Sequence, residues 1–232
     1  MADSQARIRV LNEILLTEAS YFEDLKVVEE VFIGPLRANK VLPENDLRAI
    51  FGDWGTLVKT TDMIYQDLKR SVETRKPGGM AAVFAEFAPF LRAYGPFLIN
   101  YEAGVKRKAE LLEASDAGGD GSGGGGGGGG NIFKAFLDAA LRDQRCRGLD
   151  LGSFLIMPVQ RVPRYKLLLE SLLKETPPSH PERAVVTKAL QAVSDAAAHN
   201  NASMARNTDT FDRLLALQVS CSPRPSLRSS RV

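Results

Sequence analysis

DLGSFLIMPVQRVPRYKLLLESLLKE, residues 150–175, carries two different faces on one helical repeat. At 100° per residue, Leu155, Val159, Val162, Tyr165, Leu169, Leu172 and Leu173 fall on one arc, the pattern of a helix that buries one side. Lys166 projects onto that arc too, so its stem must snorkel or the helix must depart from ideal geometry. Pro163 supplies a reason for the second, because it removes a hydrogen bond and tilts the axis. The other arc, Ile156, Gln160, Arg164, Leu167, Ser171 and Lys174, mixes apolar and hydrogen-bonding groups. Two readings fit it: Ile156 and Leu167 touch a neighbouring helix, or this arc is an interface for another molecule.

Working outward to the amino-terminal end, RVLNEILLTEASYFEDL at 9–25 is a second amphipathic helix with one member out of place. The row Ile8, Leu11, Leu15, Glu18, Phe22 and Leu25 keeps a three-four alternation with a carboxylate in a leucine's slot. An ionised carboxylate buried alone is costly, so Glu18 needs a partner. Either an arginine or backbone donors of the same chain supply it, or Glu18 lies in a groove between helices, ready for donors on another molecule. Asn200 and Asn201 repeat the theme beside the apolar stripe Val186, Leu190, Val193, Ala197, Met204, Thr208, Phe211 and Leu215 of a final helix, expected from Pro181 to Leu217.

The rest of the chain is also helical in period, with no strand alternation or hairpin signal, and the expected class is all-α. A first long helix is expected from Asp3 or Ser4 to Phe32, stopped by the Gly-Pro-Leu at 34–36. A second starts at the PEND of 43–46, capped by Asn45 or Asp46, and reaches Arg75 in one or two pieces. KPGG at 76–79 then makes a turn. A helix pair follows at 80–114, broken near Pro89 and Gly95-Pro96, whose Phe84, Phe87, Phe90, Tyr94, Phe97 and Tyr101 read as core filling. A run rich in glycine at 118–130 cannot bury apolar surface and lacks both the Lys-Ser or Lys-Thr ending and the preceding strand of a phosphate loop. It is expected to be a disordered loop insertion, followed by a helix over 131–147.

Composition narrows the function. The 232 residues, 44% of them hydrophobic, suffice for a substantial core, and 30 basic against 28 acidic residues leave a net charge of only +2. That balance argues against a broad phosphate-neutralising surface for nucleic acid. Cys146 and Cys221 are far apart and form no CxxC, and His180 and His199 have no ligand-spaced companions, so no metal, cofactor or disulfide framework is expected. No uninterrupted apolar run reaches the length of a spanning helix and the start lacks a secretory core, which makes the cytoplasm the expected location.

Three segments together carry a family resemblance. ILLTEASYFEDLKVV at 14–28, FAEFAPFLRAYGPFLINYEAG at 84–104 and FLIMPVQRVPRYKLLLESLLKE at 154–175 resemble, in order and spacing, the three signature segments of the Dbl homology (DH) domain of Rho guanine-nucleotide exchange factors. The resemblance implies an elongated all-helical bundle over 1–218, including the insertion at 118–130, with a disordered tail at 219–232. It implies an exchange factor with no covalent chemistry of its own, whose partner is a Rho-family small GTPase of the Rho or Rac type. Glu18 matches the acidic residue that engages switch I, Arg164 the basic position that contacts switch II, and Asn201 an asparagine at the same surface. Gln160 and Ile156 fall on the GTPase-facing side, Ile156 at a position associated with partner choice. Met157 departs from the Lys or other polar residue often found there. A non-catalytic scaffold that binds a GTPase is the alternative from another class. Membrane association is expected only through regions outside this chain.

Overall fold

In the computed structural model, which describes residues 4–116 and 129–220, with side chains for 4–114 and 132–205, every described element is a helix. The glycine-rich run up to residue 128, the tail after Ser220, Cys221 and the side chains of Thr208, Phe211 and Leu215 lie outside the described residues.

The first helix, α1 (Gln5–Val27), is capped by Ser4, whose side chain accepts the Arg7 amide. It does not stop at the Gly-Pro-Leu. A π-helical turn over Val28–Ile33 leads directly into α2 (Gly34–Ala38). The ladder passes the proline by slipping: the Gly34 amide donates to the Glu29 carbonyl five residues back, and Pro35, with no N–H to give, takes a place in the new first turn. A Cβ on Gly34 would stand 3.1 Å from that carbonyl, so the slip favours glycine. The buried row of α1 is also rotated from the expected one. It runs Arg7, Ile14, Glu18, Tyr21, Leu25, Val28 and Phe32, while Ile8 is exposed and Leu11, Leu15 and Phe22 are half-buried. Arg7 belongs to this row because Thr176 and Glu182 accept its guanidinium, Thr176 at 3.2 Å.

The PEND segment opens α3 (Glu44–Phe51), but Pro43 holds the cap position, and neither Asn45 nor Asp46 does. A break at Gly52 separates α3 from α4 (Trp54–Glu73), which Asp53 caps by accepting from Thr56. Beyond the turn at Gly78 come α5 (Gly79–Phe87), a 3-10 stretch over Ala88–Tyr94 that contains Pro89, and α6 (Gly95–Asp116). Phe84, Phe87, Tyr94 and Phe97 fill the core as expected, whereas Phe90 is 54% exposed. By length and composition the stretch Gly79–Ala114 is apolar enough to cross a membrane; half of its apolar window is buried inside the bundle. The α3–α6 contact is close enough that a Cβ on Gly104 would meet the Ala49 carbonyl at 2.8 Å.

The helix expected over 131–147 is shorter: α7 (Gly129–Ala140) gives way to turns and a 3-10 piece at Gln144–Cys146. Asp150 then caps α8 (Leu151–Leu155), accepting from the Ser153 amide at 2.8 Å. Pro158 clashes with continuation, so the chain breaks at Ile156 and restarts as α9 (Met157–Lys174), with Pro158 in the first turn where it is tolerated. Pro163 sits on the exposed side of α9 without ending it, and Lys166 is exposed beside Glu170 at 3.7 Å rather than snorkelling over the core. The last helix, α10 (Arg183–Ser220), packs on α5 and α9, and α1 packs between α4 and α9.

Candidate functional site

The pairs between α1 and α9 define the site. Their partners run in opposite directions along the chain, Arg7 meeting Thr176 just past the end of α9, Glu13 meeting Arg164, and Glu18 meeting Tyr165 and Arg161, so the helices lie antiparallel. This crossing sorts two carboxylates on α1 into different environments.

Glu18 is sealed. It is 0% exposed, accepts the Tyr165 hydroxyl at 2.8 Å and forms an ion pair with Arg161, itself only 5% exposed. The guanidinium lies over the rings of Tyr165 and Tyr21, 4.6 and 5.0 Å from their centroids. Nearby, Thr61 and Tyr94 share a hydrogen bond of 2.9 Å. Burial pushes the Glu18 carboxyl above its ordinary value against the pull of Arg161 and Tyr165. The expectation that Glu18 meets a partner protein's switch is therefore corrected: its bonding is completed by its own chain, because the α1–α9 crossing sets it against Arg161 in the core.

Glu13 is the carboxylate at the surface. It stands 3.4 Å from the Arg164 guanidinium, and both side chains are about half exposed, 53% and 51%. Sequence reading passed it over because Glu13 lies off the apolar row and looks like an ordinary solvated residue. The signal available was the EILLTE stretch, which offers two acids, one inside and one outside the buried row. Below the pair, a groove of about 270 Å³ runs between α1 and α9, lined by Thr17, Ser20, Tyr21, Asp24, Met157, Gln160, Arg161 and Arg164. Asp24 at one end is held by Arg147.

Of the other expected residues, Gln160 and Arg164 are exposed on the α9 face that borders the groove, and Ile156 is half-buried at the α8–α9 break. The interface reading of the second α9 arc is favoured over helix contact by Leu167, which is 61% exposed. On α10 the two asparagines divide: Asn200 is buried and donates to the Leu91 carbonyl at 3.1 Å, while Asn201 is exposed. Among the described residues no group of three His, Cys, Asp or Glu side chains is arranged to hold a metal ion. His180 instead accepts the Glu182 amide at its Nδ1, 3.1 Å away.

The fold and this surface define a class: an all-helical bundle presenting polar and apolar groups of two antiparallel helices outward. The sequence matches the RhoGEF domain over residues 10–201, and the chain belongs to that family. Human FYVE, RhoGEF and PH domain-containing protein 2 is 30% identical over 203 residues, which cover 84% of this chain and 28% of that protein. The fold is similar to that of the Vav1 exchange factor, with a TM-score of 0.78 at 24% identity over 96% of this chain and 56% of that one. The DH/PH domains of PDZ-RhoGEF, solved in complex with GTP-γ-S-activated RhoA, give a TM-score of 0.73 at 20% identity over 88% of this chain and 56% of theirs. The chain spans between 12% and 28% of the length of curated relatives such as the myosin-M heavy chain of Dictyostelium discoideum and the human FYVE protein.

Proposed function

We propose that this chain is a guanine-nucleotide exchange factor that promotes GDP release from a Rho-family small GTPase, and that it does so through the outward face of α1, α9 and α10. Membership of the RhoGEF family and the RhoA complex of a structurally similar DH/PH protein support the choice of partner. The observation that carries the reading is the Glu13–Arg164 pair. Two opposite charges sit side by side, long at 3.4 Å and half exposed. An exposed pair of this kind contributes only about 0–1 kcal/mol to the fold. Each partner is thus available for stronger, charge-assisted bonds to an arriving protein.

The energetic problem is large. A GTPase that holds GDP at nanomolar affinity resists release by about 12 kcal/mol. A factor that binds the nucleotide-free form more tightly than the loaded form weakens nucleotide binding by the same ratio, and rebinding of nucleotide expels the factor through the same linkage. In this reading Glu13, rather than Glu18, accepts hydrogen bonds from switch I and holds it away from the nucleotide. Arg164, Gln160 and Asn201 fix switch II where it obstructs the phosphates. Ile156, at the α8–α9 break, contributes to the choice among Rho-type partners. The residues from 1 to 218 act as the exchange domain. The work is done in the cytoplasm, with any membrane recruitment supplied by regions outside this chain. The test is release of fluorescent GDP from a panel of purified Rho-family GTPases. Catalytic amounts of the chain are expected to accelerate release from at least one; stoichiometric binding with no acceleration from any would instead make it a scaffold.

A further inference from the structure

The two charged residues of the surface pair each have an apolar companion one helical turn on. Leu16 follows Glu13 by three residues on α1, and Leu167 follows Arg164 by three on α9. They are 69% and 61% exposed, the highest values among the described large hydrophobic residues that lie exposed. Residues three apart on a helix are neighbours, so each leucine extends the surface begun by its charged companion. Nothing in the bundle uses them: the core rows of both helices are filled by Ile14, Glu18 and Tyr21 on one side and Arg161, Tyr165 and Leu168 on the other.

We propose that Leu16 and Leu167 are affinity-determining residues for the GTPase, apolar footholds that dock the partner in all its states while Glu13 and Arg164 act on the switches. The inference rests on the exchange reading above. It commits to the GTPase as occupant because the leucines are continuous with the charged pair and flank it on both helices. Central apolar contacts beside charged groups that steer and orient are the anatomy of a protein interface. Apolar burial is indifferent to the nucleotide state of the partner, so its loss weakens docking uniformly and leaves the release step alone.

The experiment measures fluorescent-GDP release at increasing exchange-factor concentration for the wild-type chain, Leu16→Gln, Leu167→Gln and the double variant. Binding of nucleotide-free GTPase to each immobilised chain is measured in parallel. Glutamine keeps helix propensity, and both positions are exposed, so the variants are expected to melt with the wild type. Each substitution is expected to raise the half-saturating concentration and the dissociation constant about tenfold, the loss of a good part of one buried leucine, with the maximal rate changed less than about twofold. Unchanged half-saturation and unchanged binding in the double variant overturn the inference while the exchange reading stands. A fall in maximal rate without a change in half-saturation also overturns it. If the wild-type chain neither releases GDP from nor binds any GTPase of the panel, both readings fall. If it binds without releasing, the dissociation constants alone decide the role of the leucines.

Discussion

Neutralising Glu18 should cost stability on the scale of a broken buried ion pair. With Glu18 fully buried and Arg161 nearly so, Glu18→Gln leaves a guanidinium in the core facing an amide that cannot balance its charge. Arg161→Met leaves the carboxylate with only the Tyr165 hydroxyl as a described side-chain donor. Removing one partner of such a pair costs about 3–5 kcal/mol, whereas replacing both is far milder. In a domain of this size about 1 kcal/mol moves Tm by roughly 2–4 °C, so each single variant should melt on the order of 6–20 °C below the wild type. The double variant should recover much of the loss, since the introduced amide oxygen can still accept from Tyr165 and no charge is stranded. Chemical denaturation of all four proteins closes the cycle, and a coupling of at least about 2 kcal/mol is expected. Additive effects, or single losses below about 1 kcal/mol, would refute the burial and pairing of Glu18.

Three further outcomes follow from particular contacts. Gly104→Ala should destabilise by about 1–3 kcal/mol, because its methyl would press against the Ala49 carbonyl at 2.8 Å and force α6 off α3; an unchanged urea midpoint would contradict that close approach. Asp143 is held down from an ordinary 3.8 to about 2 by hydrogen bonds from the Arg145 side chain and amide. A depressed carboxylate stabilises the fold above its unfolded value and loses that contribution as pH falls through the folded one. The stability gap between wild type and Asp143→Asn should therefore be constant above about pH 5 and close toward pH 2 in urea titrations, and a gap that widens on acidification would reverse the sign. Deleting residues 119–127 of the glycine run should leave the GDP-release rate within about twofold, since seven of the nine residues removed are glycines with no side chain to meet a partner; a large loss in a folded variant would give the run a part in exchange.

The helices themselves were legible in the residues where their boundaries are written in Gly, Pro and capping side chains, as at Ser4, the KPGG turn of 76–79 and Gly95. Three features were not. Gly34-Pro35 reads as a stop, and only the backbone shows the ladder slipping past it by one residue. The buried row of α1 is displaced because Arg7 counts as polar in any pattern and Tyr21 lies off the expected three-four row, yet tertiary partners and ring stacking bring both inside. The surface acid was misplaced for the same reason: a lone helix cannot say which of Glu13 and Glu18 faces its neighbour, and the choice is made by the antiparallel crossing with α9. Arg161 and Arg164, three residues apart, take one acid each. By contrast, Gln160, Arg164 and Leu167 were legible as one face of α9 from their helical spacing, but the residues alone left open whether a neighbouring helix covers it, and in the structure all three are exposed.

The division of labour between the two acids is tested most directly by comparing Glu13→Ala with the wild type on a responsive GTPase, measuring GDP release and thermal stability on the same preparations. Loss of a charge-assisted bond worth about 1.5–3 kcal/mol should slow release roughly ten- to a hundredfold, with Tm unchanged within about 4 °C because the pair with Arg164 is exposed. Wild-type release by a folded Glu13→Ala protein would contradict the assignment of the switch contact to Glu13.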